Sequence, residues 1–365
     1  MRSASLLSLL SLPICIFADG QVAAAKKVVS SAQQAPAKEV KPKPPHVVLT
    51  SARPESDNGW YLFADALYWH ASVGSTEYAL KQDTRVGIVS HQHKVQALNF
   101  KWAWGFRAGL GWNMNHDMWD TNLYYTWFHT HNSNAAGIDP PSEIVDILGS
   151  SARLQSSRIS WGIHFSMFDW ELGRWHYVSE QLALRPHIGL KGGWINQHVK
   201  QHDARTVTNN PTPGPDTDKF KNNFWGIGPS FGVNTLWVLG SAGTRTQHRF
   251  SLFGDCGGAI MYGHFGVRHE ENTFNTAGVL TGGFTIHGLS RNLAVAMLQG
   301  QFGFSWDTDF NQNRNHFTFR VGYELQYWFR QNQLFRGSLI FEDGGTRLSD
   351  DLALQGITAD FRFDF

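Results

Sequence analysis

A chain of 365 residues with 31 Lys plus Arg against 30 Asp plus Glu has no charge bias toward nucleic acid or another polyanion. Aromatic residues make up 14% and glycines number 36, a combination that favours strands over helices. No apolar run approaches the roughly 20 residues of a membrane-spanning helix, so a chain of this kind crosses a bilayer with strands or not at all. Residues 1–18 read as a secretory signal peptide: Arg2 supplies the positive start, 6–17 the apolar core, and Ala18, or Ala23-Ala24-Ala25 as late as residue 25, the cleavage site. Cys15 sits near the end of that core, but Ile14 is unlike the small residue that precedes a lipidated Cys. Once the peptide is removed only Cys256 remains, so no internal disulfide forms, and Cys256 reads as an apolar filler in a strand. Segment 19–58, rich in Ala, Lys, Pro, Ser and Gln, builds no core and reads as a flexible periplasmic lead-in.

From Gly59 to Phe365 the sequence alternates repeatedly, as strands with two unlike faces do. A first strand covers 60–71 and a second 98–112, where Phe100, Trp102, Trp104, Phe106, Leu110 and Trp112 alternate with Lys101, Ala103, Gly105, Arg107, Gly109 and Gly111. In the third, Trp119, Leu123, Tyr125 and Trp127 oppose Asp120, Asn122 and Thr126. In the fourth, Ile159, Trp161, Ile163 and Phe165 oppose Arg158, Ser160 and His164, and the phase shifts near Met167-Phe168, which predicts a bulge. Ile188, Leu190 and Trp194 oppose Arg185, His187 and Lys191, and Trp225, Ile227 and Phe231 oppose glycines and Ser230. Phe250, Leu252, Cys256, Ile260 and Tyr262 form the seventh apolar face, Leu298, Phe302, Phe304 and Trp306 the eighth, and Phe317, Phe319, Val321, Tyr323 and Leu325 the ninth, before a last strand over 352–365. Connections after odd strands are long (75–95, 131–155, 200–220, 268–288, 331–350), and those after even strands are short (113–118, 173–181, 239–246, 307–315). Outer-membrane barrels segregate their loops in this way, with both termini in the periplasm. The pattern predicts a transmembrane antiparallel β-barrel of about ten strands. Hairpins hidden near Tyr78–Leu80, 278–286 or 337–341 would raise the count to twelve or more. The closing residues Phe361, Phe363 and Phe365 are similar to the signal read by the barrel assembly machinery.

Five blocks carry a family resemblance: Phe63-Ala64-Asp65-Ala66-Leu67-Tyr68-Trp69; Asp169-Trp170-Glu171-Leu172-Gly173-Arg174; Leu184-Arg185-Pro186-His187-Ile188-Gly189-Leu190-Lys191-Gly192-Gly193-Trp194-Ile195; Phe224-Trp225-Gly226-Ile227-Gly228-Pro229; and Gly322-Tyr323-Glu324-Leu325-Gln326-Tyr327-Trp328. In this order they resemble the Legionella-type pore-forming major outer-membrane proteins, a family that includes MOMP-like proteins of environmental chlamydiae. The resemblance spans about 60–365 and implies an outer-membrane barrel that forms pores. Chlamydial MOMPs proper are Cys-rich and cross-linked; a mature chain with one Cys departs from them.

Strand phase turns Lys101, Arg107, Arg158, Arg185, Lys191, Arg320 and Glu324 inward. Rings of one sign tune ion selectivity, and the basic excess predicts a mild anion preference. The alternative is that these cations pair with Asp65, Asp120, Asp255 and Glu324 and fill a narrow barrel. Trp112, Trp119, Trp127, Trp194 and Trp237 are expected to form aromatic girdles. The His pairs His91/His93, His129/His131 and His198/His202 lack companion ligands at defined spacing and read as rim residues, so no metal or cofactor is expected. Nucleophile-elbow, zincin and P-loop motifs are absent. A scattered group such as Asp120, Asp255, His164 and His187 is a weak basis for an enzyme. The expected function is passive diffusion of ions and small solutes through a porin-like outer-membrane barrel in a Gram-negative envelope. Its partners would be the bilayer and the assembly machinery, with a homo-oligomer compatible. The rival reading is a closed barrel acting as a surface adhesin or structural envelope element.

Overall fold

In the computed structural model, residues 59–82, 93–114, 117–138, 142–148, 153–205, 213–242, 248–310, 315–336 and 345–365 are described. The expected signal peptide at 1–18 and lead-in at 19–58 lie outside them. Ten strands form the wall: β1 (Gly59–Val73), β2 (Ala103–Asn113), β3 (Trp119–Gly137), β4 (Arg153–Arg174), β5 (Leu182–Arg205), β6 (Pro213–Ala242), β7 (His248–Asn275), β8 (Arg291–Phe310), β9 (Asn315–Asn332) and β10 (Asp350–Asp364). Each pairs antiparallel with the next. β10 returns to β1, from Tyr61↔Asp364 to Val73↔Leu352, and so closes the sheet. Closure leaves no free edge, the condition for strands to cross a bilayer. The end carrying Gly59 and Phe365 holds the short connections after the even strands. Between β2 and β3 the Met114 amide donates to the Trp119 carbonyl at 2.9 Å, and Asp117 and Met118 both adopt a left-handed φ of 60°.

The expected hairpins do not enter the wall. Glu77–Gln82 pairs with His93–Ala97 and Glu143–Asp146, and Leu280–Ile286 pairs with the end of β7; both enlarge the distal end. The candidate at 337–341 lies outside the described residues.

Along each strand the outward positions carry the exposed apolar side chains, such as Trp104, Phe106 and Leu110 on β2, Ile188, Leu190 and Trp194 on β5, and Phe302 and Phe304 on β8. Together they form a continuous apolar belt far larger than water-facing surfaces carry. On β5–β7 the belt stops at Trp194, Trp225 and Tyr262. Beyond it the outward residues are His198 and Lys200, Lys221 and Asn223, and Arg268. The strands therefore outrun the belt, and the loops expected at 131–155, 200–220 and 268–288 are shortened by hydrogen-bonded sheet.

Inside, chemistry reverses at the same level. Within the belt the inward residues are polar, such as Asp169 and Glu171 on β4 and Lys191 on β5. Past it they are apolar and buried: Trp161, Ile163 and Phe165 on β4, Ile195 and Val199 on β5, Phe220 and Phe224 on β6, Phe265 on β7. The expected bulge at Met167-Phe168 is therefore absent. Register runs unbroken through Met167↔Thr126 and Phe168↔Tyr125 on one side, and Met167↔Gly193 and Phe168↔Gly192 on the other. What changes there is the face that is apolar, not the backbone phase. The second strand needs a different correction, because it starts at Ala103. Leu98 and Phe100 precede it and turn into the distal core, with Phe100 edge-on to Trp161 at 6.1 Å, so Phe100 does not face the belt.

Candidate channel lumen

Glycines let the polar half of the interior hold long side chains close to the wall. A Cβ on Gly173 would lie 2.5 Å from Arg185 Nε, so this position has room for the guanidinium only without a side chain. Arg185, on β5, donates from Nε to Asp120 Oδ1 at 2.9 Å, and from Nη1 to Glu171 Oε2 at 3.1 Å and Asn234 Oδ1 at 2.7 Å. Asn234 in turn donates to Asp255 Oδ1 at 2.8 Å. Arg107, on β2, bridges Asp65 Oδ2 at 2.9 Å and Glu324 Oε1 at 2.7 Å. Glu324 also accepts from Gln326 at 3.0 Å and Thr358 at 2.9 Å. Lys191 pairs with Asp169, and Arg362 lies over the Tyr61 ring at 3.7 Å while bonding Asp364. Arg107 and Arg185 are thus each forked between partners from different strands, which fixes their direction.

These groups surround a cavity of about 140 Å³, room for several waters. Its lining includes the guanidinium groups of Arg107, Arg185, Arg320 and Arg362, and the carboxylates of Asp65, Glu171, Asp255 and Asp360. The two signs balance, so the lining carries no basic excess.

Toward the distal end the apolar core fills the lumen, with Trp69, Phe128, Trp161 and Trp328 among its fully buried side chains. Residues 331–335, past the register shift between Trp328 and Asn332 at the end of β9, cross the interior as a strap. The Gln331 carbonyl accepts from Asn222 Nδ2 on β6 at 2.8 Å and from Gln197 Nε2 on β5 at 3.3 Å, both across the barrel. Asn332 donates to the Gly74 carbonyl at 2.8 Å, and the Leu334 carbonyl accepts from the Leu348 amide at 2.8 Å. Gln331, Asn332 and Gln333 are wholly buried, yet neither polar side-chain atom of Gln331 has a partner.

Residues 52–365 match the family model described as the Legionella pneumophila major outer membrane protein precursor. The chain belongs to that family. Comparison with curated proteins gives no match. Among solved structures, the Escherichia coli outer membrane protease OmpT is 8% identical, covering 84% of this chain and 96% of its own, with a TM-score of 0.32. A Pseudomonas aeruginosa FadL homologue is 9% identical (86% and 92% covered, TM-score 0.23). The Pseudomonas putida toluene transporter TodX gives the same values, 9%, 86%, 92% and 0.23. These scores carry no functional argument. Family membership and the closed ten-stranded sheet make this an outer-membrane β-barrel.

Of the residues expected inside this outer-membrane barrel, Arg107, Arg185, Lys191, Arg320 and Glu324 point inward, and all but Arg320 are shown in ion pairs. Lys101 and Arg158 do not: Lys101 precedes β2 and is exposed, and Arg158 is exposed on the outer face beyond the belt, since its neighbours Ser157 and Ile159 are the buried ones. Trp112 stacks on outward Trp60 at 6.1 Å, Trp127 stacks on outward Phe106 at 5.6 Å, Trp119 lies under the Arg174 guanidinium at 6.0 Å, and Trp194 and Trp237 are exposed. Phe361, Phe363 and Phe365 point outward, and Cys256 is exposed on its strand. His164 faces out against His129 with ring centroids 3.9 Å apart, so Asp120, Asp255, His164 and His187 do not converge. Sequence reasoning missed Asp169, Glu171 and Asp360 as inward partners, although strand phase placed them there. It also missed the strap, whose Gln-Asn-Gln run looks like any solvated loop.

Proposed function

We propose that the protein is an outer-membrane channel for ions and small polar solutes, held closed in this conformation by its own strap. The observation carrying this reading is the strap itself, a segment anchored across the lumen by two side-chain donors, in a barrel whose other half holds a charged cavity with room for several waters. Gln331 leaves a buried amide unpaired, which costs about 1–3 kcal/mol and favours withdrawal of the strap to water. In this reading the barrel performs no chemistry and needs no cofactor. Because four guanidinium groups face four carboxylates, the anion preference inferred from the cations alone gives way to weak selectivity. The terminal end lies in the periplasm, Phe361, Phe363 and Phe365 address the chain to the assembly machinery, and Trp112, Trp119, Trp127, Trp194 and Trp237 sit at the two interfaces.

Planar-bilayer recording on the purified protein tests this. Infrequent discrete openings with a reversal potential near zero across a salt gradient are expected. The second reading, a permanently closed surface or structural element, is favoured by the distal core, which fills the lumen with wall residues as well as the strap. Silence at all voltages, from protein that is heat-modifiable on gels and so folded, would select it.

A further inference from the structure

The distal end holds a group of carboxylates that the channel reading does not use. Asp146, on the loop strand Glu143–Asp146, meets Asp203 of β5 and Asp218 of β6. Each offers an oxygen, all within 4.8 Å of one another, and all three residues are buried. Opposite ligands of one hard cation, each about 2.4 Å from it, stand about 4.8 Å apart, so one ion fits between them. Two further observations point into the same space. Glu271 faces Asp218 directly in the β6–β7 register, is 96% buried, being 4% exposed, and has Oε2 without a partner. Tyr78, fully buried on the adjoining loop strand, has an unpartnered hydroxyl within electrostatic reach of Asp203.

Among the described residues the acids here outnumber the cations within electrostatic reach, which are Arg336 beside Asp146 and Arg205 beside Asp218 and Glu271. Gln201 Nε2 contacts Asp146 Oδ1 at 2.9 Å and Asp203 Oδ2 at 2.9 Å, the Leu148 amide donates to Asp146 at 2.9 Å, and His269 Nε2 is 3.2 Å from Asp218 Oδ1. Arg205 is engaged by Asp216, whose other oxygen is unpartnered. Buried carboxylates this close are relieved either by protons or by a cation. We propose that Asp146, Asp203 and Asp218, with Glu271 beside them, bind one divalent cation of the calcium class. All-oxygen donors select a hard ion over a transition metal. The ion ties the 143–146 loop strand to β5 and β6, and so fixes the distal end independently of whether the barrel conducts.

The test uses the full chain refolded into detergent free of lipopolysaccharide, whose phosphates would bind the same ions. Terbium is the probe, sensitised by excitation of nearby tyrosine. Saturable luminescence displaced by calcium is expected, weakened on the order of 10- to 100-fold in Asp203→Asn and Asp218→Asn and unchanged in Glu270→Gln, an outward acid at the same level. Equal terbium binding by wild type and both Asn variants, or none by wild type, overturns the site. Should the Asn variants fail to fold, wild-type protein decides. Refolding with chelator should lower its thermal midpoint and calcium should restore it. A midpoint indifferent to calcium means the cluster is held by protons and overturns the proposal.

Discussion

Arg185 shows how fully an inward cation is committed. Its guanidinium satisfies Asp120, Glu171 and Asn234 together, and its side chain and that of Asp120 are almost entirely buried. Replacing it with Met would leave two buried carboxylates without a cation, a change that costs about 3–5 kcal/mol, whereas the net worth of the intact pair is smaller. Arg185→Met is therefore expected to lower the urea unfolding midpoint markedly in detergent. Lys101→Met, at an exposed position, should stay within about 0.5 kcal/mol of wild type. Equal effects would show that Arg185 is not load-sharing in the interior. The two cations read alike in sequence, because each falls on the polar side of an alternating run. Only the turn of Leu98 and Phe100 into the core, a long-range packing event, separates them.

At the level of elements, the strap is the part on which the channel reading depends. Two amide donors, Asn222 and Gln197, hold the Gln331 carbonyl in the lumen. If each bond contributes about 1 kcal/mol, its loss raises the open-to-closed ratio roughly fivefold. The double variant Asn222→Ala, Gln197→Ala should thus open visibly more often in planar bilayers while remaining heat-modifiable. Unchanged event frequency in the folded variant would remove the strap from the gating role. No local signal marks this element, since residues 331–333 have the polarity of a surface loop and their partners lie more than a hundred positions away in sequence. β4 was legible as a strand but was misjudged in phase, for a physical reason. Its apolar residues face lipid at Phe168 and Trp170 and the interior at Ile163 and Phe165, so constant backbone register produces a shift in hydrophobic phase.

For the whole molecule, that inversion separates what the sequence discloses from what it hides. Where lipid lies outside, alternation, loop lengths and Phe365 sufficed to count ten strands. Where the strands emerge into water, the rule of apolar outside and polar inside reverses, and the extension is read as loop. The level of the reversal can be measured. Leu298 and Phe302 point outward within the belt, and Asn223 points outward just past Trp225. An arginine facing lipid costs about 2–4 kcal/mol at the bilayer midplane and falls to about 0–1 near the interfaces. Leu298→Arg and Phe302→Arg are expected to show the larger loss in unfolding free energy in liposomes, and Asn223→Arg close to none. If Asn223→Arg costs as much as Phe302→Arg, the bilayer covers the distal strands as well. Lys200, Lys221 and the Arg268–Glu270 pair would then face lipid in the membrane, an arrangement the same depth-dependent cost disfavours.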